Sequence, residues 1–139
     1  MSKTVVIKRK ILFGDCDPEG IVYTPRFSYF AVEAIHEALS VWLQGPGLRT
    51  LMGFNILPPA RAFSLEFLYP VTWDDELTIN VRVAGVGEHS FSFLVEGFIE
   101  SDKPVFTAKL THVCVAPDTK KVVKVPKRLR VLLHESTSG

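Results

Sequence analysis

The hydrophobic period of this chain switches once, from a helical repeat to a strand repeat, and that switch limits the folds open to it. Phe27, Phe30, Ala31, Ala34, Ile35, Ala38, Leu39 and Trp42 recur at three- and four-residue steps and form one apolar helical stripe. Glu33, His36, Glu37 and Ser40 fall off the stripe. Pro25 suits a first helical position, Thr24 can cap it, and Gly45-Pro46-Gly47 ends the run. A helix of this length spans about 30 Å, enough to cross a small domain. Beyond Pro58-Pro59 the period becomes two. Phe63, Leu65, Phe67 and Tyr69 form one alternating set, and Leu77, Ile79, Val81 and Val83 the next. Phe91, Phe93 and Val95 follow, then Phe106, Ala108, Leu110, His112 and Cys114. Turn residues separate these runs at Asp74-Asp75, Gly85-Val86-Gly87 and Asp102-Lys103-Pro104.

Residues 4–13, rich in β-branched and basic side chains, read as a first strand. Lys121 to Val125 is a candidate last strand and Pro126 to Leu133 a short terminal helix. The expected architecture is α+β: one long central helix packed on a sheet of about five or six antiparallel strands arranged as a meander. Residues 1–134 are read as one domain and 135–139 as a disordered tail. Leu94 and Phe98 occupy the phase opposite to the inward set of their strand, which hints at oligomerisation.

Composition narrows the function classes. A chain of 139 residues can build one core, and a net charge of +1 gives no support to nucleic-acid binding or to an anionic membrane surface. No apolar run approaches the ~20 residues that span a bilayer. Cys16 and Cys114 do not form a disulfide pattern, so a reducing cytoplasm is the expected setting.

Between the first strand and the helix lies Phe13-Gly14-Asp15-Cys16-Asp17-Pro18-Glu19-Gly20-Ile21-Val22-Tyr23-Thr24-Pro25. Asp17 precedes a helix start, where backbone N–H groups and the helix dipole favour negative charge. A carboxylate there can attack a carbonyl or activate water while the N–H groups stabilise the oxyanion. By spacing alone, Asp15 and Asp17 read equally as turn formers bonding their own backbone. Cys16 reads as an inert thiol rather than a nucleophile, because no histidine is near it in sequence. His112 lies on an apolar phase and reads as a satisfied core histidine. His36 and Glu37 lack the spacing of metal ligands, and no metal is implied.

The stretch Phe13–Tyr23 resembles the signature of the 4-hydroxybenzoyl-CoA thioesterase family of hot-dog proteins. The resemblance continues through Tyr29, Phe30, Glu33 and Ala34, and into Tyr69-Pro70-Val71 and Asp75-Glu76-Leu77-Thr78-Ile79. It implies a hot-dog fold and an acyl-CoA thioesterase that releases free acid and CoA, with an aromatic acyl group expected. It also implies Asp17 as nucleophile or general base, and the Thr24 backbone N–H as the group polarising the thioester carbonyl. No cofactor is expected, since CoA is part of the substrate. A homodimer or homotetramer with sites at the dimer interface is expected.

The chain departs from the pattern at two places. An ungapped count puts Val32, with Glu33 beside it, where that family reads a phenol hydroxyl with an acid. Gly87-Glu88-His89 stands where it carries a basic cluster for the CoA phosphates. Tyr23, Tyr29, Glu33 and Phe63 are therefore candidates for the acyl group, and His89, Lys121 and Lys124 for CoA. The alternative reading is a non-catalytic acyl-CoA binding or sensing protein on the same fold. A hot-dog dehydratase is disfavoured, because no histidine lies in residues 13–30.

Overall fold

The structure, a computed structural model, describes residues 4–137. Five strands form one sheet: β1 (Val5–Lys10), β2 (Ala60–Phe67), β3 (Glu76–Val86), β4 (Ser90–Ile99) and β5 (Lys103–Val113). Helix α1 (Arg26–Trp42) lies between β1 and β2 in the chain; the short α2 (Gly47–Met52) follows it, and α3 (Lys127–Thr137) ends the described chain.

Helix α1 buries Phe27, Phe30, Ala31, Ala34, Ile35, Ala38, Leu39 and Trp42, the full set that its period predicted. Each large apolar side chain buried this way contributes about 1.5–3 kcal/mol of transfer free energy. The helix lies over β1, β3, β4 and β5. Its rings meet the sheet directly, with Phe27 5.3 Å from Phe106 and Trp42 stacked 5.8 Å from Phe93. Leu129 and Leu133 of α3 join the same core, and α3 packs mainly on β3. Gly97 permits close packing on β4, because a Cβ there would lie 2.2 Å from the Phe106 ring.

Four expectations are corrected. The strands do not form one meander: the sheet order is β1-β3-β4-β5-β2, so β2 pairs with β5 rather than β3. The chain leaving β2 is diverted by backbone pairing with the loop that follows β1, through the Ile21·Thr72 bridge and the bonds Val22 N–H to Val71 O, Ile11 N–H to Asp75 O and Asp74 N–H to Ile11 O. Residues 121–125 make a single bridge, Val115·Val122, in place of a sixth strand. The terminal helix runs to Thr137, so 135–137 are helical, while 138 and 139 of the expected tail lie outside the described residues. Thr24 makes no side-chain cap: Pro25 occupies the N-cap position in helical geometry.

Strand β2 is exposed along almost its whole length on both faces, including Phe63 and Phe67, where alternation predicted an inward side. Helix α1 touches it at Phe27, whose ring lies 5.6 Å from that of Phe67. Among the described residues no helix is long and apolar enough to cross a membrane.

Candidate active site

The loop after β1 is a small irregular hairpin laced by backbone bonds. A 3-10 turn at Phe13–Asp15 leads in, the Cys16·Val22 bridge and the Asp17 N–H to Ile21 O bond close it, and Tyr23 N–H donates to Asp15 O. Gly20 turns the chain at φ +86°, a conformation that favours glycine, and Trp73 packs against its open side at 3.0 Å from where a Cβ would stand. Thr72 Oγ1 donates to Gly20 O at 2.5 Å. Loop and 71–75 segment therefore hold each other.

The two aspartates of this hairpin do different work. Asp15 is 5% exposed. Its carboxylate takes Arg9 Nη1 at 2.5 Å and the Leu12 N–H at 2.8 Å, and lies 3.5 Å from Arg26 Nε. Burial pushes the Asp15 carboxyl up, but the Arg9 hydrogen bond, the Leu12 N–H and the charges of Arg9 and Arg26 outweigh it and hold it below its ordinary value. Asp15 is thus a buried structural anchor. Asp17 is half-buried and accepts one bond, from the Glu19 N–H to Oδ1 at 2.9 Å; its Oδ2 has no partner among the described residues. Of the two, Asp17 is the more accessible carboxylate.

The hairpin feeds directly into α1. Arg26 N–H donates to Tyr23 O, Phe27 N–H to Thr24 O and Ser28 N–H to Pro25 O, while Pro25 has no N–H to offer. Thr24 is exposed, and its N–H makes no hydrogen bond among the described residues. It stands one residue ahead of the N-cap Pro25, near the positive end of the helix dipole. A fixed carboxylate and an unpaired helix-start N–H on one hairpin can together serve addition to a carbonyl.

The other predicted residues fall into two groups. Tyr29 and Glu33 line a cavity of about 290 Å³ on the exposed side of α1, together with Ser28 and Val32. Glu33 lies 3.5 Å from Arg9 Nε, and Arg26 stacks over the Tyr29 ring at 5.0 Å. His89 lines a different cavity of about 480 Å³ with Arg61, Glu88, Ser90, Val113 and Val122. Lys121 and Lys124 flank Val122 in sequence, and Lys124 Nζ is 3.7 Å from Glu88. Tyr23 is exposed at the helix entry, and Phe63 is exposed on β2, lining neither cavity.

Sequence reasoning missed Arg9, Arg26 and Arg61. Arg9 and Glu33 stand on different elements 24 positions apart, and no local spacing signals their meeting. The cysteines are free thiols. Burial, with Asp15 and Asp17 nearby, pushes Cys16 up, and burial pushes Cys114 up to about 11, so neither is poised as a nucleophile. His112 bonds the Pro58 carbonyl through Nδ1 at 2.8 Å and packs on Phe91 and Phe93, as a satisfied core histidine does.

The fold that carries this hairpin is shared with solved structures. The crystal structure of a thioesterase superfamily protein from Jannaschia sp. CCS1 superposes with a TM-score of 0.89 at 29% identity, covering 98% of this chain and 94% of that one. The 4-hydroxybenzoyl-CoA thioesterase of Pseudomonas sp. strain CBS-3 superposes at 0.81 with 23% identity, over 93% of this chain and 98% of that one, so the fold is the hot-dog fold. In sequence, the 1,4-dihydroxy-2-naphthoyl-CoA hydrolase of Prochlorococcus marinus (strain MIT 9515) is 26% identical over 137 residues, covering 95% of this chain and 90% of its own. A family model matches residues 11–133, from just after β1 to within α3, and with that span of agreement the chain belongs to the thioesterase-like superfamily.

Proposed function

We propose that this chain is an acyl-CoA thioesterase that hydrolyses a hydroxylated aromatic acyl-CoA to the free acid and CoA, without metal or cofactor. The observation that carries the reading is that one hairpin bears both Asp17, held by the Glu19 N–H, and the Thr24 N–H, which makes no hydrogen bond among the described residues. In this mechanism the Thr24 N–H holds the carbonyl oxygen as it becomes an oxyanion. Asp17 acts as general base, taking a proton from the attacking water, or as nucleophile, forming an anhydride that water then opens. The carbon–sulfur bond breaks as the CoA thiolate leaves, so no strong general acid is needed.

The aromatic, hydroxylated acyl group is supported by the named substrate of the Prochlorococcus hydrolase and by the Tyr29–Glu33 cavity, which offers an aromatic face beside a carboxylate acceptor. Arg61 and His89 line the second cavity, Lys124 pairs with its Glu88, and Lys121 precedes its Val122 in sequence; these are the cationic and polar partners proposed for the CoA phosphates. The Lys124–Glu88 pair is exposed on both sides, so it holds the lysine only weakly and leaves it free to turn to a phosphate. The two free cysteines suit a cytoplasmic setting.

Free-thiol release from a panel of hydroxyaroyl-, aroyl- and alkyl-CoA esters tests the reading. Turnover is expected to be fastest with the hydroxyaroyl esters. Tight binding of acyl-CoA in calorimetry, with no ester cleaved, would instead establish a sensing protein.

A second copy of the chain fits the same reading. β2 is a sheet edge exposed on both faces, with Phe63 and Phe67 in the open, and such an edge invites pairing. Closed two-fold assembly is its ordinary resolution. Analytical ultracentrifugation is expected to show a species of two or four chains, and full activity in a strictly monomeric protein would refute the assembly.

A further inference from the structure

We propose that Thr72 is a positioning residue for Asp17, its hydroxyl fixing the turn on which that carboxylate is presented. The inference rests on the thioesterase reading above and adds to it a residue from the segment between β2 and β3. Asp17 opens a tight turn that Gly20 closes. The Gly20 N–H donates to Asp17 O at 2.9 Å, and the Asp17 N–H donates to Ile21 O at 2.8 Å. The Glu19 N–H that holds Asp17 Oδ1 lies inside the same turn. Thr72 grips its far end, Oγ1 donating to Gly20 O at 2.5 Å from 52 positions away. Among the described residues, no other side chain from outside the hairpin hydrogen-bonds residues 17–20. Gly20 thus joins the two residues through its own backbone, its N–H on Asp17 and its carbonyl on Thr72.

The hydroxyl is offered from a fixed platform. The Thr72 N–H donates to Asp75 Oδ2 at 3.0 Å, and the Asp75 N–H donates to Thr72 O at 3.2 Å. Asp75 O in turn accepts the Ile11 N–H at 2.8 Å, just past β1. The branched Cβ of threonine leaves χ1 few choices, so holding its backbone also holds its hydroxyl. From the other side the Trp73 ring closes over Gly20, 3.0 Å from where a Cβ would stand, and meets Phe13 edge-on at 5.5 Å between ring centres. A glycine at φ +86° has the widest freedom of any residue in the turn, so an outside hydrogen bond restricts the carboxylate most when it acts there. Thr72 lines neither the cavity beside α1 nor the one at the β3–β4 turn, so its hydroxyl has no route to substrate affinity through either.

The test measures kcat and KM on the fastest of the hydroxyaroyl-, aroyl- and alkyl-CoA esters, with a thermal melt of each protein. The proteins are wild type, Thr72→Val, Thr72→Ser, Asp17→Asn and the double variant of Asp17→Asn with Thr72→Val. Valine keeps the shape of threonine without the hydroxyl, and serine keeps the hydroxyl. Thr72→Val is expected to lower kcat about 10-fold with KM within about 2-fold of wild type, since about 1 Å of misplacement at a reacting group can cost about 10²-fold. Thr72→Ser is expected to keep kcat within about 2-fold of wild type. In the Asp17→Asn background, Thr72→Val is expected to lower kcat no further, because the group it positions is already gone. A residue that merely supported the fold would lower the melting temperature and leave kcat per folded molecule intact. Unchanged kcat in Thr72→Val, an equal loss in Thr72→Ser, or an undiminished loss in the Asp17→Asn background would each overturn the proposal. Should Thr72→Val fail to fold, Thr72→Ala, which can overfill nothing, takes its place under the same criteria. Wild-type turnover in Asp17→Asn, or no ester cleaved by wild type, would overturn the thioesterase reading itself, outcomes distinct from the others.

Discussion

Asp17→Asn is expected to lower turnover of any responsive acyl-CoA by roughly 10²-fold or more, the scale for losing a general base or nucleophile. The amide keeps the size of the carboxylate and still accepts the Glu19 N–H through its oxygen, so the hairpin has no reason to rearrange. It removes only the basicity and the nucleophilic charge. Because Asp17 is half-buried and makes no ion pair among the described residues, stability is expected to stay within about 0.5 kcal/mol of wild type. The decisive measurement is free-thiol release beside a thermal melt on the same preparation. Wild-type turnover in a folded Asp17→Asn protein would remove Asp17 from the mechanism. Substrate affinity in the variant is expected to persist, since the cavities beside α1 and at the β3–β4 turn are untouched.

The neighbouring substitution is expected to behave in the opposite way. Asp15→Asn leaves the Leu12 N–H an acceptor but strips the negative charge from between Arg9 and Arg26. Breaking a fully buried pair costs about 3–5 kcal/mol. The two arginine side chains are 21% and 34% exposed, so water recovers part of that cost and about 2–3 kcal/mol is expected. For a chain of this length the melting temperature falls by roughly 10 °C.

The pH dependence carries its own signature. Burial raises the Asp15 carboxyl, but the arginines and the Leu12 N–H more than reverse this, so its folded value lies below its unfolded one. Its stabilisation is therefore fully present above about pH 4, the unfolded range, and is lost as the pH drops through the folded value. Melts below pH 4 are expected to show a shallower acid slope in Asp15→Asn than in wild type. Equal slopes would mean that the carboxylate contributes nothing through its charge.

The contrast between the two aspartates shows where sequence reading stops. Both stand in one short polar loop, both suit a turn, and their spacing does not rank them. The family signature selected Asp17; in the structure the first aspartate faces inward against Arg9 and Arg26, while the second keeps a carboxylate oxygen without a partner among the described residues. Arg9 was invisible to the sequence for a related reason. It reads as one of several basic residues on a strand, and its partners Asp15 and Glu33 lie on a turn and a helix that only folding brings together.

Local physics was enough for the elements themselves. The three- and four-residue steps of residues 27–42 specify one helix face, and that face is buried to the last predicted residue, because helix geometry is set within a few residues of chain. Period-two alternation likewise specified the strands β2 to β5. What alternation cannot encode is which strand lies beside which, since partner choice is a contest between distant segments. Pairing of the Asp17 hairpin with residues 71–75 turns the chain away after β2 and leaves that strand at the sheet edge, exposed on both faces. The sequence by itself determined a long helix, its strands and an acidic loop ahead of the helix start. Only the tertiary structure decided which carboxylate was anchored, which stayed more accessible, and which strand was left open, because each depends on charges and backbone donors that meet across the fold.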